Sequence, residues 1–125
     1  MNWAGMGAGA LCLAVVLGAF GAHGLRERLD AYSMGVYERA VFYHFIHGLG
    51  LLLTPLLVQA GLLPAKTGNR VAWLLLIGIV LFSGSLYVLA ISGARVLGAV
   101  TPLGGLAFIV GWGLLAAGLF RARKD

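Results

Sequence analysis

The sequence predicts an all-α membrane protein: a four-transmembrane-helix bundle with a short amphipathic surface segment between helices 1 and 2. Three observations carry this. The 125-residue chain is 61% hydrophobic and only 10% charged, with a mean hydropathy of +0.97, which leaves too little polar surface to cover a soluble core. Four uncharged stretches, residues 3–24, 40–63, 71–94 and 96–120, are each 22 to 25 residues long, and a helix needs about 20 residues to cross a ~30 Å hydrocarbon layer. None of them alternates with period two, so helices rather than barrel strands must satisfy the backbone in lipid. By length the chain, residues 1–125, is a single four-helix transmembrane domain.

The charge pattern agrees. The net charge of +5 comes from nine basic residues scattered at the ends of the apolar runs. A bilayer places cations there, so the expected partner is lipid and not nucleic acid. The single cysteine, Cys12, has no disulfide partner and no metal-ligand spacing, and a packing role is expected for it.

The first stretch, MNWAGMGAGALCLAVVLGAFGAHG, has no basic residue ahead of its apolar run and is longer than a secretory signal core. A lipoprotein anchor would need a small residue where Leu11 precedes Cys12. The first helix is therefore expected to be retained. Its small residues Gly7, Ala14 and Gly21 recur every seven positions, a stripe that lets a neighbouring backbone come close. The following segment, LRERLDAYSMGVYERA, puts Leu25, Leu29, Tyr32, Val36 and Ala40 at helical spacing. This reads as one or two short helices on the membrane surface, broken near Gly35.

The second helix opens with YHFIH and carries Pro55, which removes the donor for the carbonyl of Leu51 and predicts a kink beside Thr54. PAKTGNR reads as the loop to the third helix, whose LFSGSLY brings Ser83, Ser85 and Tyr87. In the fourth helix, Thr101 before Pro102 predicts an irregular entry. Its Gly104, Gly111 and Gly118 form a second seven-residue stripe. Both stripes are expected to pack within one small bundle. With four spans, both termini share a side with Lys66, Arg70, Arg121, Arg123 and Lys124, against Arg26, Arg28, Arg39 and Arg95 opposite. This small excess predicts cytoplasmic termini.

Polar side chains gather in the half of the membrane facing the first loop. His23 ends the first helix there, and Tyr43, His44 and His47 lie in the first turns of the second. Ser83, Ser85, Tyr87 and Thr101 come from the other two. Together they predict a polar pocket lined by histidines and covered by residues 26–39. Residues three apart share a helix face, so His23, His44 and His47 can be read as ligands of a transition metal, with Glu38 as a supporting carboxylate. They can equally be read as a proton relay, as haem ligands, or as packing groups hydrogen-bonded across helices.

GAFGAHGL, YHFIH, LFSGSLY and TPLGG…FIVGW, in that order, resemble the membrane family catalogued as domain of unknown function 423, whose animal relatives are called transmembrane protein 256. The resemblance spans nearly the whole chain. It implies a small four-helix protein, at the inner membrane in bacteria, and brings no reaction or cofactor with it. Two functional classes stand foremost: a protein binding a metal ion, proton or small polar ligand in the pocket, and an accessory subunit packing its glycine-rich faces against a homo-oligomer or larger membrane complex. The enzyme class has thin support, because no nucleophile–base pair or phosphate loop is present.

Overall fold

A computed structural model describes residues 1–122, and every regular element among them is helical. Helix α1 spans Trp3–Phe20 and continues into a π-helical turn, Gly21–Leu25. Helix α2 spans Ala31–Gln59. Helix α3 (Ala65–Gly78), a π-helical segment (Ile79–Gly84) and α4 (Ser85–Ser92) form one continuous rod. A 3₁₀ turn at Arg95–Ala99 leads into α5, Thr101–Ala122. These make four spans long and apolar enough to cross a bilayer.

The helix ends follow from local chemistry. Asn2 caps α1, accepting from Gly5 N–H at 2.9 Å, and Asp30 caps α2, accepting from Ser33 N–H at 2.7 Å. At the other end of α2, Gly61 takes φ +74°, Gly61 N–H bonds to Val58 O and Leu62 N–H to Leu57 O. This pair of bonds is the Schellman arrangement. Gly93, at φ +73°, ends α4 in the same left-handed conformation.

Packing runs α1 on α2, α2 on α3 and α4, and α5 on α3 and the π-helical segment. One apolar core gathers Leu51, Val71, Leu75, Phe108 and Leu115. A second, toward the first loop, gathers Leu25, Val36, Tyr37, Ala40 and Leu86. The spaced small residues sit inside these contacts. A Cβ on Gly7 would lie 2.5 Å from Leu52 N, one on Gly21 would lie 2.3 Å from Tyr37 Cε1, and one on Gly104 would lie 2.3 Å from Phe82 N. Gly111 faces Leu74 and Leu75, and Gly118 faces Leu63. Outside, Leu13, Val15 and Val16 on α1 and Leu106 and Ile109 on α5 are exposed, as a lipid-facing surface should be.

Several local expectations need correction. The helix breaks expected near Gly35 are absent: the cap at Asp30 starts α2 at Ala31, and it runs through Gly35 without interruption. The segment between the first two spans is thus only residues 26–30, too short to roof a pocket. α2 is then about 43 Å long, and His44 and His47 lie roughly 20 and 24 Å along it, near its midpoint rather than in its first turns. PAKTGNR is not a loop, because Pro64 initiates α3 and residues 65–70 form its first turns. Cys12 is exposed on the outside of α1 rather than packed. Arg123 and Lys124, counted in the charge balance, lie outside the described residues.

Candidate functional site

Four antiparallel rods bring the polar residues of the sequence to one region of the bundle, but as separate contacts rather than a single pocket. Ser83, fully buried where the rod is π-helical, donates to Ala40 O of α2 at 2.8 Å. Ser85 and Thr101 share a hydrogen bond of 2.6 Å that ties α4 to the entry of α5. Thr101 also donates to Leu97 O at 3.2 Å, holding the 3₁₀ turn. Among the described residues no buried side-chain nitrogen or oxygen lacks a partner, as a region shielded from water requires.

The histidines diverge. His23 is exposed in the π-helical turn that ends the first span. His44 is 2% exposed; its Nδ1 bonds the Tyr87 hydroxyl at 2.9 Å, and the carbonyl of Ala10 in α1 lies beside the ring. Tyr87 meets Tyr37 edge-on, with centroids 5.3 Å apart, and the Tyr37 hydroxyl donates to Leu17 O. His44 therefore ties α1, α2 and α4 together. His47, one turn further, faces α5 instead. Among the described residues no group of three or more His, Cys, Asp or Glu side chains is placed to hold a metal ion. The transition-metal set of His23, His44 and His47 is not assembled, because His44 meets Tyr87, His47 stacks on Phe108 and His23 is exposed at the end of the first span. Glu38 is exposed near the start of α2 and supports none of them.

What the structure assembles around His47 is an aromatic groove. It runs between α2 and α5, has a volume of about 510 Å³, and is walled by Tyr43, His47, Phe82, Phe108 and Trp112. Gly105 opens its floor and Ile109, 70% exposed, stands at its lipid-facing rim. The His47 ring is 4% exposed and stacks on Phe108 with centroids 3.4 Å apart and planes within 12°. Tyr43 lies nearly parallel on it, 8° off at 5.8 Å.

The hydrogen bonding fixes the chemistry of that ring. His47 Nδ1 lies 2.7 Å from Tyr43 O. A carbonyl only accepts, so Nδ1 carries a proton, and in the neutral ring that leaves the lone pair at Nε2. Among the described residues Nε2 has no hydrogen-bond partner and is not a fully buried atom, and His47 lines the groove. The site thus combines flat apolar walls with one hydrogen-bond acceptor near mid-depth in the bundle.

Of the residues expected to form the pocket, Tyr43 and His47 belong to this groove. Phe82, Phe108 and Trp112 are the groove residues that the sequence reading passes over. The spacing of Phe108 and Trp112, four apart on α5 and opposite the histidine turn, was the available signal.

Comparison with known proteins places the chain. A family model described as protein of unknown function (DUF423) matches residues 17–105. A UPF0382 membrane protein of Staphylococcus saprophyticus is 48% identical over 119 residues, 93% of this chain and 94% of the relative. One from Staphylococcus haemolyticus is 48% identical over 90% and 92% of the two chains. The UPF0382 membrane protein YwdK of Bacillus subtilis is 46% identical over 86% of each. No solved structure matches significantly. This chain is a membrane protein of the DUF423 family.

Proposed function

We propose that the protein binds a planar, hydroxyl-bearing molecule that dissolves in the bilayer and enters the groove between α2 and α5 from the lipid side. The observation that carries this reading is His47: a buried imidazole, stacked on Phe108, whose proton is committed to Tyr43 O while Nε2 stays open. A ligand hydroxyl can donate to Nε2, and its ring gains stacking and apolar burial against Phe82 and Trp112. The exposed rim at Ile109 gives an entry without passage through water. The bilayer in question is the bacterial inner membrane, with both termini in the cytoplasm.

An accessory-subunit role through the glycine-rich faces has less support. Gly7, Gly21, Gly104 and Gly118 already abut Leu52, Tyr37, Phe82 and Leu63 of the same chain, so these faces are not free for another subunit.

The test is to purify the protein in its native lipid, extract what accompanies it, and compare three forms by mass spectrometry. His47→Phe keeps the stack and removes Nε2. Gly105→Leu fills the groove, and its Cβ is tolerated because the nearest atoms of Phe82 would lie 3.8 Å away. One hydroxyl-bearing compound, enriched over bulk lipid in the wild type and depleted in both variants, is the expected result. Identical extracts from all three forms would sink the reading.

A further inference from the structure

The end of the bundle that carries the termini holds a second, unrelated cleft. It has a volume of about 580 Å³ and lies between the α2–α3 connection and the last turns of α5. Gly61, with φ +74°, turns the chain so that Leu62 and Leu63 run over α5. Gly118 lets Leu63 come close, since a Cβ there would lie 2.5 Å from Leu63 Cδ1. The apolar walls are Leu62, Leu63 and Leu114. Thr67 and two arginines from different helices, Arg70 of α3 and Arg121 of α5, also line it.

Among the described residues the charge here is one-sided; Asp125, the fourth acidic residue of the chain, lies outside them. Among the described residues no carboxylate lines the cleft. Glu27, Asp30 and Glu38 lie at the opposite end, around the turn from α1 to α2. Two cations and a hydroxyl lining an apolar slot match one chemistry well: a phosphate with a hydrocarbon chain attached. Arginine pairs with phosphate through two parallel N–H···O bonds, and the apolar walls continue into the lipid-facing surface of α5.

We propose that this cleft is a binding site for an anionic phospholipid of the adjoining leaflet, its phosphate held by Arg70, Arg121 and Thr67 and an acyl chain lying against Leu114. The site is separate from the groove at His47 and does not depend on it. It differs from general attraction of basic residues to headgroups because two helices and a glycine-shaped loop define it.

The experiment titrates fluorescent phosphatidylglycerol into the detergent-solubilised protein, with phosphatidylcholine and inorganic phosphate as competitors. Saturable binding of the anionic lipid is expected, weakened roughly tenfold by Arg70→Gln and again by Arg121→Gln, since each removes a charge-assisted hydrogen bond. Ala117→Trp, which fills the cleft without touching a charge, should also abolish binding. Lys66→Gln, which removes a nearby charge that does not line the cleft, should leave it intact. The proposal is overturned if phosphatidylcholine competes equally, if inorganic phosphate alone displaces the lipid, or if Lys66→Gln weakens binding as much as Arg70→Gln does. The thermal stability of each variant, measured without lipid, checks that the fold is retained.

Discussion

At the scale of single residues, the glycines divide by what a methyl group would meet. At Gly104 a Cβ would fall 2.3 Å from Phe82 N, a backbone atom that cannot swing away. Gly104→Ala should therefore force the fourth span off the third and cost about 1–3 kcal/mol, as overpacking does. At Gly113 the space is open, so Gly113→Ala should be neutral or stabilising by up to about 1 kcal/mol. Unfolding of both variants in mixed micelles checks the contrast; equal effects would show that the close approach of α5 to Phe82 does not matter. The pair His44 and Tyr87 behaves differently. His44→Phe keeps the ring and strands the half-buried Tyr87 hydroxyl, at a cost of about 1 kcal/mol, whereas adding Tyr87→Phe should recover part of that loss. Asp30 supplies the pH dependence. Its bond from Ser33 N–H holds the carboxyl below its ordinary value of 3.8. A depressed folded value means the capping contribution is complete above that pH and disappears as the pH falls through the lower folded value. Hydrogen exchange at the first turn of α2 should accelerate there, and Asp30→Asn, which can also cap, should remove the pH dependence.

At the scale of elements, glycine conformation decides where helices stop. Gly61 and Gly93 have positive φ, which a side chain resists by roughly 1–2 kcal/mol. Gly61→Ala and Gly93→Ala should each destabilise the protein by about that amount. Gly98→Ala, also with open space but an ordinary φ, should not. Thermal denaturation of the three variants side by side is the check. This scale also shows where the sequence was readable. Apolar length pointed to four helices, and the fold has four that are long and apolar enough to cross a bilayer, because the bilayer imposes that length on any crossing helix. The start of α2 was misplaced by nine residues, from Ala40 back to Ala31, since a helix can project past the hydrocarbon with a polar turn that reads like surface. The two π-helical turns were invisible for a related reason. A π-helical turn is a local widening of an α-helix, and Ile79–Gly84 keeps the composition of its flanks while bringing Ser83 to Ala40 O and Phe82 to Gly104. The site was half legible. Titratable residues in an apolar run drew attention to His44 and His47, but which way each faced depended on the phase of a helix whose start lay elsewhere.

At the scale of the whole molecule, an even number of spans puts both ends of the chain on one side, and the distribution of basic residues selects which side. Lys66, Arg70 and Arg121 belong to that end; Arg26, Arg28, Arg39 and Arg95 belong to the other. Orientation follows the excess of Lys and Arg near the ends of the spans, while acidic residues count for little. Including Arg123 and Lys124, the excess toward the terminal side is a single residue, so the insertion bias is weak and should be easy to reverse. A fluorescent protein fused after Asp125 should fluoresce, as it does only in the cytoplasm, and alkaline phosphatase fused after Gly93 should be active, as it is only outside. Replacing both Lys66 and Arg70 by Gln then turns an excess of one into a deficit of one, and should move a measurable share of molecules to the inverted orientation, with fluorescence falling and phosphatase activity at residue 93 falling with it. Unchanged signals in that variant would mean that something other than loop charge, such as the uncharged first span inserting first, sets the orientation. An active phosphatase at residue 125 in the unaltered chain would place the Arg70–Arg121 cleft in the outer leaflet.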